Sequence, residues 1–511
     1  MTETLSQIPD GTADADELAR DALAVLQPGF HGTTAPEWLL RRLAEGLGSV
    51  ALFARNIESP EQLAALTAQL RAVRPEVLIA ADEEGGDVTR LEARSGSSFP
   101  GNLALGAVDD TALTRDVAAE LGRRLADCGV NLNWAPSADV NSDPGNPVIG
   151  VRSFGSEPLL VARHTAAYVE GLQSAGVAAC TKHFPGHGDT SVDSHHALPK
   201  VDVDLDTLHS RELAPFRAAL AAGTKAVMSA HILVPALDPD RPGTLSPAVL
   251  TGLLRDGLGY EGLIVTDGIE MRAIADTYGV ERGTVLAIAA GADAICVGGG
   301  LADEETVVAL RDAIVDAVRA GELPRGRLAD AAARVRALAA WAAGAAGSAA
   351  GSAAGTAPDP EIGLTAARRA LRVTRTEEYV PITEAPYVAA FTPVANIAVG
   401  AETPWGVAAE LDRLLPGTVT GTFRQGDALT ANVLRSAANR RIVAVVRDVH
   451  RHPWMAEALG ALLAARPDTA VVEMGVPQAP PSGALHIATH GAARVCGRAA
   501  AEVIVGKEAD A

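Results

Sequence analysis

Cysteine is scarce in this chain of 511 residues, which contains only Cys128, Cys180, Cys296 and Cys496. They lie far apart and form no CxxC pair, the spacing found in zinc sites and redox motifs. Cys180 and Cys296 each lie inside an apolar run, which is typical of a buried free thiol. The sequence therefore predicts neither a disulfide framework nor a structural zinc site.

Long hydrophobic runs are also missing from the sequence. No run reaches the ~18 apolar residues that a membrane-spanning helix needs. The stretch Met1–Asp21 is acidic and lacks the basic region and apolar segment of a secretory signal. These absences predict a cytoplasmic protein with no membrane partner.

Positive charge is in short supply. The chain has 43 Lys and Arg residues against 63 Asp and Glu residues, which gives a formal net charge of −20. An acidic surface repels phosphate groups, so nucleic acid and anionic membranes are excluded as expected partners. The remaining composition, 48% hydrophobic and 21% charged, is that of a globular protein. A chain of this length favours two domains, of which one can be a large α/β barrel.

Short apolar runs alternate with helix-like segments between about Leu26 and Ala343. A strand followed by a helix, repeated at least seven times, predicts an all-parallel sheet. The runs are almost continuously apolar, as expected for strands that are covered on both faces. The number of repeats favours a (β/α)8 barrel of the TIM type as the catalytic domain, over residues 1–343. The seven runs are Ser49–Phe53, Val77–Ala81, Val130–Ala135, Val177–Thr181, Lys225–Ala230, Gly262–Thr266 and Ala292–Val297.

A low-complexity Gly/Ser/Ala segment, residues 344–360, predicts a flexible or partly helical linker. Residues 361–511 show a second α/β pattern and are expected to form a smaller sandwich domain. The clearest helical pattern in this part covers Trp454–Ala465. The predicted strands are Tyr387–Phe391, Ile397–Gly400, Arg441–Val446 and Val471–Met474.

Ionisable residues follow five of the apolar runs, at the point where each run ends. Catalytic groups of a parallel barrel collect at this end of the strands, because the loops there converge on one pocket. One such residue would be ordinary, but five indicate a site for a densely hydroxylated ligand. The five positions are Asp82, Asp139, Lys182 with His183, His231, and Asp267.

The richest of these loops runs from Lys182 to His196. Its proline and glycine residues exclude a helix, so its histidines do not share one helical face. Its composition leaves open a metal site, although the spacing matches no helix-borne metal motif. The ligands in that alternative are His183, His187, Asp189 and His195.

Two carboxylates stand out as candidates for chemistry. Asp193 lies two residues from His195, so it can hold one ring nitrogen and leave the other free for proton transfer. Asp267 ends an apolar strand and is followed by Gly268, which allows close approach of a ligand. That position suits a nucleophile. The alternatives are a turn-capping role for Asp193 and a helix N-cap role for Asp267.

Several motifs follow one another in order along the chain. The long loop motif KHFPGHGDT-x-x-DSH is highly specific, and the strand end Val265–Asp267 follows it. The shorter motifs are Phe53–Asn56, Asp82–Gly86, Phe99–Asn102, Asn133–Pro136 and Val151–Gly155. Together they cover roughly Val50 to Gly300 and resemble glycoside hydrolase family 3, specifically its bacterial β-N-acetylglucosaminidase branch.

The resemblance implies a retaining, exo-acting enzyme that needs no cofactor and no metal. Its expected substrates are chitin- or peptidoglycan-derived fragments with a terminal β-linked N-acetylglucosamine (GlcNAc). Asp267 corresponds to the nucleophile of a covalent glycosyl-enzyme intermediate, and His195, oriented by Asp193, corresponds to the acid/base. The residues expected to bind the substrate are Asp82, Arg90, Arg152, Lys182, His183, His231 and Met271.

Two residues depart from the family pattern. Asp87 stands where a basic residue is common, and Gly268 replaces a bulkier or acidic neighbour of the nucleophile. Members that cleave unsubstituted β-glucosides typically carry Ser-Asp-Trp around the nucleophile and draw their acid/base from the second domain. The loop that holds Asp193 and His195 therefore favours N-acetylglucosaminides over a β-glucosidase-like activity.

Other chemistries remain as alternatives. A histidine acid/base is neutral once it has given up its proton, so inorganic phosphate can replace water as acceptor and make the enzyme a phosphorylase. The substrate's own acetamido oxygen can serve as nucleophile, steered by Asp82 and Glu83. A metal-dependent hydrolase and a non-catalytic sugar-binding protein are further candidates.

Overall fold

Eight short parallel strands form a barrel in the first part of the chain. The computed structural model describes residues 11–190, 198–351, 359–393 and 403–507. The strands are β1 (Leu26–Pro28), β2 (Ser49–Leu52), β3 (Leu78–Ala81), β4 (Leu132–Asn133), β5 (Ala178–Phe184), β6 (Ala226–Ser229), β7 (Leu263–Thr266) and β8 (Ile295–Val297).

The barrel closes between its last strands and its first. Strands β2 to β7 pair in chain order, and β1 pairs in parallel with β8. A bridge between Val265 and Ala294 links β7 to β8. The Ser49 hydroxyl donates to the Leu26 carbonyl at 3.1 Å, next to where β2 meets β1. The predicted TIM-type barrel is confirmed, although β1, with three residues, was not among the predicted strands.

Helices surround this barrel, and α3 (Pro60–Val73) shows why they form. Its N-cap, Ser59, accepts a hydrogen bond from the backbone of Gln62 at 3.2 Å, and a proline opens the first turn. Leucines at positions 63, 66 and 70 share one face and are buried against the barrel core. The other helices are α1 (Gly11–Ala24), α2 (Glu37–Glu45), α4 (Asn102–Val108), α5 (Thr111–Asp127), α6 (Pro158–Ser174), α7 (Leu205–Thr207), α8 (Leu213–Ala221), α9 (Arg272–Tyr278), α10 (Val280–Ala290), α11 (Glu304–Arg319) and α12 (Arg325–Gly351).

Short irregular pieces complete the first part of the chain. Two π-helical stretches, Leu208–Glu212 and Ala248–Gly257, lie between the strands, the first joining α7 to α8. Leu233–Val234 and Asp238–Pro242 form a small antiparallel hairpin after β6. Single 3₁₀ turns cover Ala54–Asn56, Gly150–Arg152 and Gly243–Leu245.

A second sheet of six strands forms the C-terminal domain. It contains β9 (Arg372–Arg375), β10 (Tyr387–Phe391), β11 (Val419–Phe423), β12 (Ile442–Val446), β13 (Ala470–Glu473) and β14 (Leu485–Ala488), in the order β9-β14-β13-β12-β10-β11. All pairs are parallel except β9 with β14. Its helices are α13 (Ile362–Ala370), α14 (Ala408–Leu414), α15 (Leu429–Ala437), α16 (Pro453–Ala465) and α17 (Arg494–Ile504), with a 3₁₀ turn at Val449–Arg451.

The region predicted as a linker begins inside a helix. Helix α12 runs to Gly351, past the start of the predicted segment at residue 344, and residues 352–358 lie outside the described part of the chain. The predicted strand Ile397–Gly400 also lies outside it. Among the residues that the structure describes, no helix is both long and apolar enough to cross a membrane.

Candidate active site

A pocket of about 510 Å³ opens where the barrel strands end. Loops that follow the parallel strands build its walls, as the topology requires. One wall residue, Thr403, comes from the C-terminal domain. Seven of the residues predicted from the sequence line this pocket together, namely Asp82, Arg90, Arg152, Lys182, His183, Asp267 and Met271.

Alternating positive and negative side chains form the floor of the pocket. The Lys182 ammonium group pairs with Asp82 and lies 2.6 Å from Glu84 Oε1. The Arg152 guanidinium donates two hydrogen bonds to Glu84, from Nε to Oε2 at 3.0 Å and from Nη2 to Oε1 at 2.6 Å. Arg90 Nη2 donates to Asp82 at 3.1 Å. The network fixes these side chains in one arrangement.

Burial and charge act in opposite directions on Glu84. Burial would raise the pKa of this carboxyl, but Arg152 and Lys182 outweigh that effect and hold its pKa well below its usual range. Glu84 is therefore ionised at neutral pH. Of this motif, only Asp82 is predicted from the sequence as a site residue, and the contacts of Glu84 with Arg152 and Lys182 were missed.

A buried carboxylate orients His183. Asp139 Oδ2 lies 2.7 Å from His183 Nδ1 and also accepts a hydrogen bond from Ser137. Asp139 Oδ1 accepts the backbone N–H of His187 at 2.7 Å. Burial would raise the pKa of Asp139, but the two histidines outweigh it and hold that pKa below its usual range. His183 Nε2 is thereby turned toward the pocket, 3.4 Å from Arg152 Nη2.

Replacing Asp139 with Asn is expected to weaken substrate binding more than it slows the chemical step. The amide offers no charge to hold the imidazole of His183, so kcat/KM should fall about 10- to 100-fold, mostly through KM. Steady-state kinetics on a GlcNAc glycoside, the kind of substrate that the resemblance implies, will give the separate effects on kcat and KM. Thermal unfolding of the same variant controls for folding, and an unchanged KM in a folded variant would contradict the orienting role.

Asp267 follows β7 directly and is partly exposed in the pocket. Its Oδ1 accepts the backbone N–H of Gly268 at 2.8 Å, and its own N–H donates to the Ser229 carbonyl at 3.2 Å. Met271, at the start of the next helix, lines the same wall. The strand end and the turn thus hold this carboxylate at the open side of the floor.

His231 lies behind the pocket instead of lining it. Its side chain is fully buried, with Nδ1 2.8 Å from the Thr244 hydroxyl and Nε2 2.8 Å from the Gly268 carbonyl. Both ring nitrogens are hydrogen-bonded to protein atoms. His231 therefore does not line the pocket as predicted for a substrate-binding residue, and instead holds the backbone beside Asp267.

The proposed acid/base pair falls outside the described residues. Asp193 and His195 belong to residues 191–197, which the structure does not describe. The conspicuous His187 is described and buried, with Nδ1 2.8 Å from the Thr190 hydroxyl. Burial, helped by the nearby His183, lowers the pKa of His187 to about 4, so this ring is neutral at neutral pH. Within residues 11–190, 198–351, 359–393 and 403–507, no three His, Cys, Asp or Glu side chains form a cluster that can hold a metal.

Glu212 supports the loop that leads to the undescribed segment. Its carboxyl is fully buried under Gly186, whose φ of +130° and lack of a side chain bring the loop close: a Cβ there would lie 2.7 Å from Glu212 Oε2. Oε1 accepts from Arg211 at 2.6 Å, and Arg211 also pairs with Asp189. Oε2 has no hydrogen-bond partner among the described residues.

The stability contributed at Glu212 is expected to depend on pH. Burial raises its pKa from 4.5 to about 7, with Asp139 and Asp189 adding to the rise and Arg211 opposing it. The folded state therefore binds the proton more tightly than the unfolded state, and stability falls as pH rises from about 4.5 to about 7. The Glu212→Gln variant cannot ionise at this position, so its stability should not show this decrease with pH.

Thermal unfolding from pH 5 to pH 8 will test this expectation. The midpoint of the Glu212→Gln variant relative to wild type should rise with pH, and other titrating groups cancel in the comparison. Glu305→Gln, at an exposed helical position, controls for the loss of one negative charge. A difference that stays constant across the range would mean that Glu212 is ionised throughout.

Glu270 was also missed by sequence reasoning. It lines the pocket four residues after the end of β7, and its Oε1 accepts the backbone N–H groups of Gly298 at 2.9 Å and of Gly299. It therefore holds the loop that follows β8 against the wall that carries Asp267. Its position just beyond a predicted strand end is the sequence feature from which Glu270 could have been predicted as a site residue.

Comparison with known proteins identifies the family. Residues 32–338, more than half of the chain, match the domain described as glycosyl hydrolase family 3 N terminal domain. The chain belongs to glycosyl hydrolase family 3. The family predicted from the motifs is therefore confirmed.

Two relatives of known name each match about half of this family 3 chain. Beta-hexosaminidase A from Pseudoalteromonas piscicida is 39% identical over 284 residues, which cover 51% of this chain and 47% of that protein. The chain thus spans about half the length of that relative. The beta-hexosaminidase from Neisseria gonorrhoeae is 38% identical over 266 residues, which cover 50% of this chain and 73% of that protein.

Among the solved structures that match nearly the whole family 3 chain is one of the same family. It is a glycoside hydrolase family 3 beta-N-acetylglucosaminidase from Paenibacillus sp. str. FPU-7, with a TM-score of 0.85 and 35% sequence identity. The match covers 96% of this chain and 97% of that one. The arrangement of a barrel followed by a smaller mixed sheet is therefore shared.

Proposed function

We propose that this chain is a retaining exo-β-N-acetylglucosaminidase that releases terminal GlcNAc from chitin- or peptidoglycan-derived fragments. The observation that carries the proposal is the charged pocket floor, in which Asp82, Lys182 and His183 line the pocket together with the partly exposed Asp267. A dense set of fixed donors and acceptors suits a ligand rich in hydroxyl groups. The names of the related proteins point to the same class of substrate.

In the proposed reaction, an Asp267 carboxylate oxygen attacks the anomeric carbon of the terminal sugar. The bond to the leaving oxygen breaks as His195 donates a proton to that oxygen. Water, which gives a proton back to His195, then displaces Asp267 and releases GlcNAc. Two displacements restore the original anomeric configuration. Asp193 is proposed to hold the imidazole of His195 in the productive orientation.

The floor residues are proposed to recognise the sugar before reaction. Lys182 and Arg90 supply donors for ring hydroxyls, and Asp82 supplies acceptors. Arg152, held by Glu84, and His183, held by Asp139, are placed to bind the 2-acetamido group and its neighbours. Because the protein itself fixes these groups, little ordering remains to be done when substrate enters.

Product analysis on two substrates will test the proposed function. GlcNAc-MurNAc and chitobiose are each incubated with wild type and with His195→Ala, with and without phosphate. Wild type should release GlcNAc with retained configuration, and His195→Ala should lose most of that activity. His209→Ala, which removes an exposed histidine, is the matched control and should behave as wild type.

The phosphate arm decides between hydrolysis and phosphorolysis. A GlcNAc phosphate product would make the enzyme a phosphorylase with the same site. A rate that ignores phosphate, with free GlcNAc as the product, fits the hydrolase. No GlcNAc release from either substrate by folded wild type would overturn the proposed function.

A further inference from the structure

The C-terminal domain contacts the barrel immediately before the pocket residue Arg90. Asp87, three residues earlier, accepts a hydrogen bond from Arg447 Nη2 and another from the backbone N–H of Ala492 at 2.7 Å. Its side chain is only 1% exposed, and the Arg447 side chain is 16% exposed. This is a desolvated ion pair between two domains, unlike the exposed pairs on the protein surface.

The same domain also contacts the barrel just after Arg90. Arg494 Nη2 donates to Glu92 at 3.3 Å, and Arg494 Nε donates to the Gly96 carbonyl at 3.2 Å. The backbone N–H of Val495 donates to the Ser97 carbonyl at 3.3 Å. Arg90 therefore lies on a segment that the C-terminal domain holds at both ends.

The segment between these contacts is held by backbone hydrogen bonds to its own barrel loop. The backbone N–H groups of Arg90 and Leu91 both donate to the buried Glu83 carboxyl, at 2.7 and 2.9 Å. Glu84 N–H donates to the Val88 carbonyl at 3.0 Å, which closes a tight turn around Asp87. Asp87 and Arg90 therefore belong to one short hydrogen-bonded segment, and the Arg90 side chain donates to Asp82 in the pocket.

We propose that Arg447 is a positioning residue that sets the affinity of the pocket from the C-terminal domain. By holding Asp87, it fixes the turn that aims the Arg90 guanidinium at Asp82 and at the sugar. The proposal rests on the proposed function, in which Arg90 binds the terminal sugar. A basic side chain at position 87 would instead face Arg447 with like charge.

A double-mutant cycle in the full chain will test this role. The variants are Arg447→Gln, Arg90→Ala and the double substitution, each characterised by kcat, KM and thermal unfolding. In the wild-type background, Arg447→Gln should raise KM about tenfold with little change in kcat. In the Arg90→Ala background, the same substitution should change KM by less than about twofold, because the group that it positions is gone.

Two further variants distinguish positioning from general docking. Arg369→Gln removes an exposed interdomain ion pair with Asp110, neither of which lines the pocket, and should leave KM unchanged. Arg447→Lys keeps the charge and should recover most of the affinity lost in Arg447→Gln. If Arg447→Gln is strongly destabilised, Asp87→Asn gives a second route, since its amide oxygen can still accept the Ala492 N–H.

The outcomes separate this proposal from the proposed function. Additive effects of Arg447→Gln and Arg90→Ala on KM, or an unchanged KM in Arg447→Gln and Asp87→Asn, would overturn the positioning role while leaving the glycosidase intact. A wild-type protein that releases no GlcNAc would instead overturn the proposed function.

Discussion

Replacing Asp267 with Asn is expected to lower kcat by roughly four orders of magnitude or more, because the amide cannot form the glycosyl-enzyme bond. The side chain keeps its shape and can still accept the Gly268 N–H through its amide oxygen, so the fold should be retained. KM should change little compared with kcat. Single-turnover kinetics on an aryl GlcNAc glycoside will measure the loss.

A matched variant near the same strand end controls for local disturbance. Glu270→Gln keeps the shape of the side chain that holds the loop after β8 and should reduce kcat far less than Asp267→Asn. Mass spectrometry of the denatured protein, after rapid mixing with a slow substrate, should find a sugar on Asp267 only in wild type. Turnover that survives in Asp267→Asn would favour attack by the substrate's acetamido oxygen and remove Asp267 from its proposed role.

Replacing Lys182 with Met is expected to damage both stability and activity. The ammonium group lies between Asp82 and the buried Glu84, and the Lys182 side chain is 2% exposed, so its loss leaves these two carboxylates with one cation fewer. Breaking such a buried pair typically costs about 3–5 kcal/mol of unfolding free energy. The loss of a sugar contact and of the floor geometry should lower kcat/KM by roughly 10³-fold.

Denaturant unfolding and kinetics measured below the unfolding transition will separate the two effects. Lys200→Met is the control, because Lys200 pairs with Asp202 on the surface and both side chains are largely exposed. Its loss should change the unfolding free energy by less than about 1 kcal/mol. If Lys182→Met has the unfolding free energy and the kcat/KM of wild type, Lys182 neither stabilises the pocket floor nor binds the sugar.

The barrel could be predicted because its strands are buried on both faces and therefore read as unbroken apolar runs. Strands at the edge of the second sheet lack that signature. Arg372–Arg375 and Val419–Phe423 are mostly exposed or half-buried and carry polar residues, so their backbone pairing, not their side chains, makes them strands. These two segments can be identified as strands only from their hydrogen bonds to neighbouring strands, which form in the folded chain.

The pocket was predictable as a set of strand-end residues but not as a network. Glu84 forms ion pairs with Lys182 and Arg152, which lie about a hundred and about seventy positions away along the chain. No local sequence pattern predicts contacts over such separations. His231 shows the opposite case. The strand pattern correctly predicts that His231 lies at the C-terminal end of β6. It does not predict that both ring nitrogens are hydrogen-bonded to Thr244 and Gly268, which belong to other segments of the chain.

The paired floor of the pocket has a consequence for how the enzyme responds to ionic strength. Each of its cations, Arg90, Arg152 and Lys182, lies within hydrogen-bonding distance of Asp82 or Glu84. A neutral sugar that enters such a site displaces water and releases no counterions, and charges this close and buried are little screened by dissolved salt. We therefore expect KM for an uncharged GlcNAc glycoside to stay nearly constant from dilute buffer to seawater, despite the strong negative charge of the whole chain.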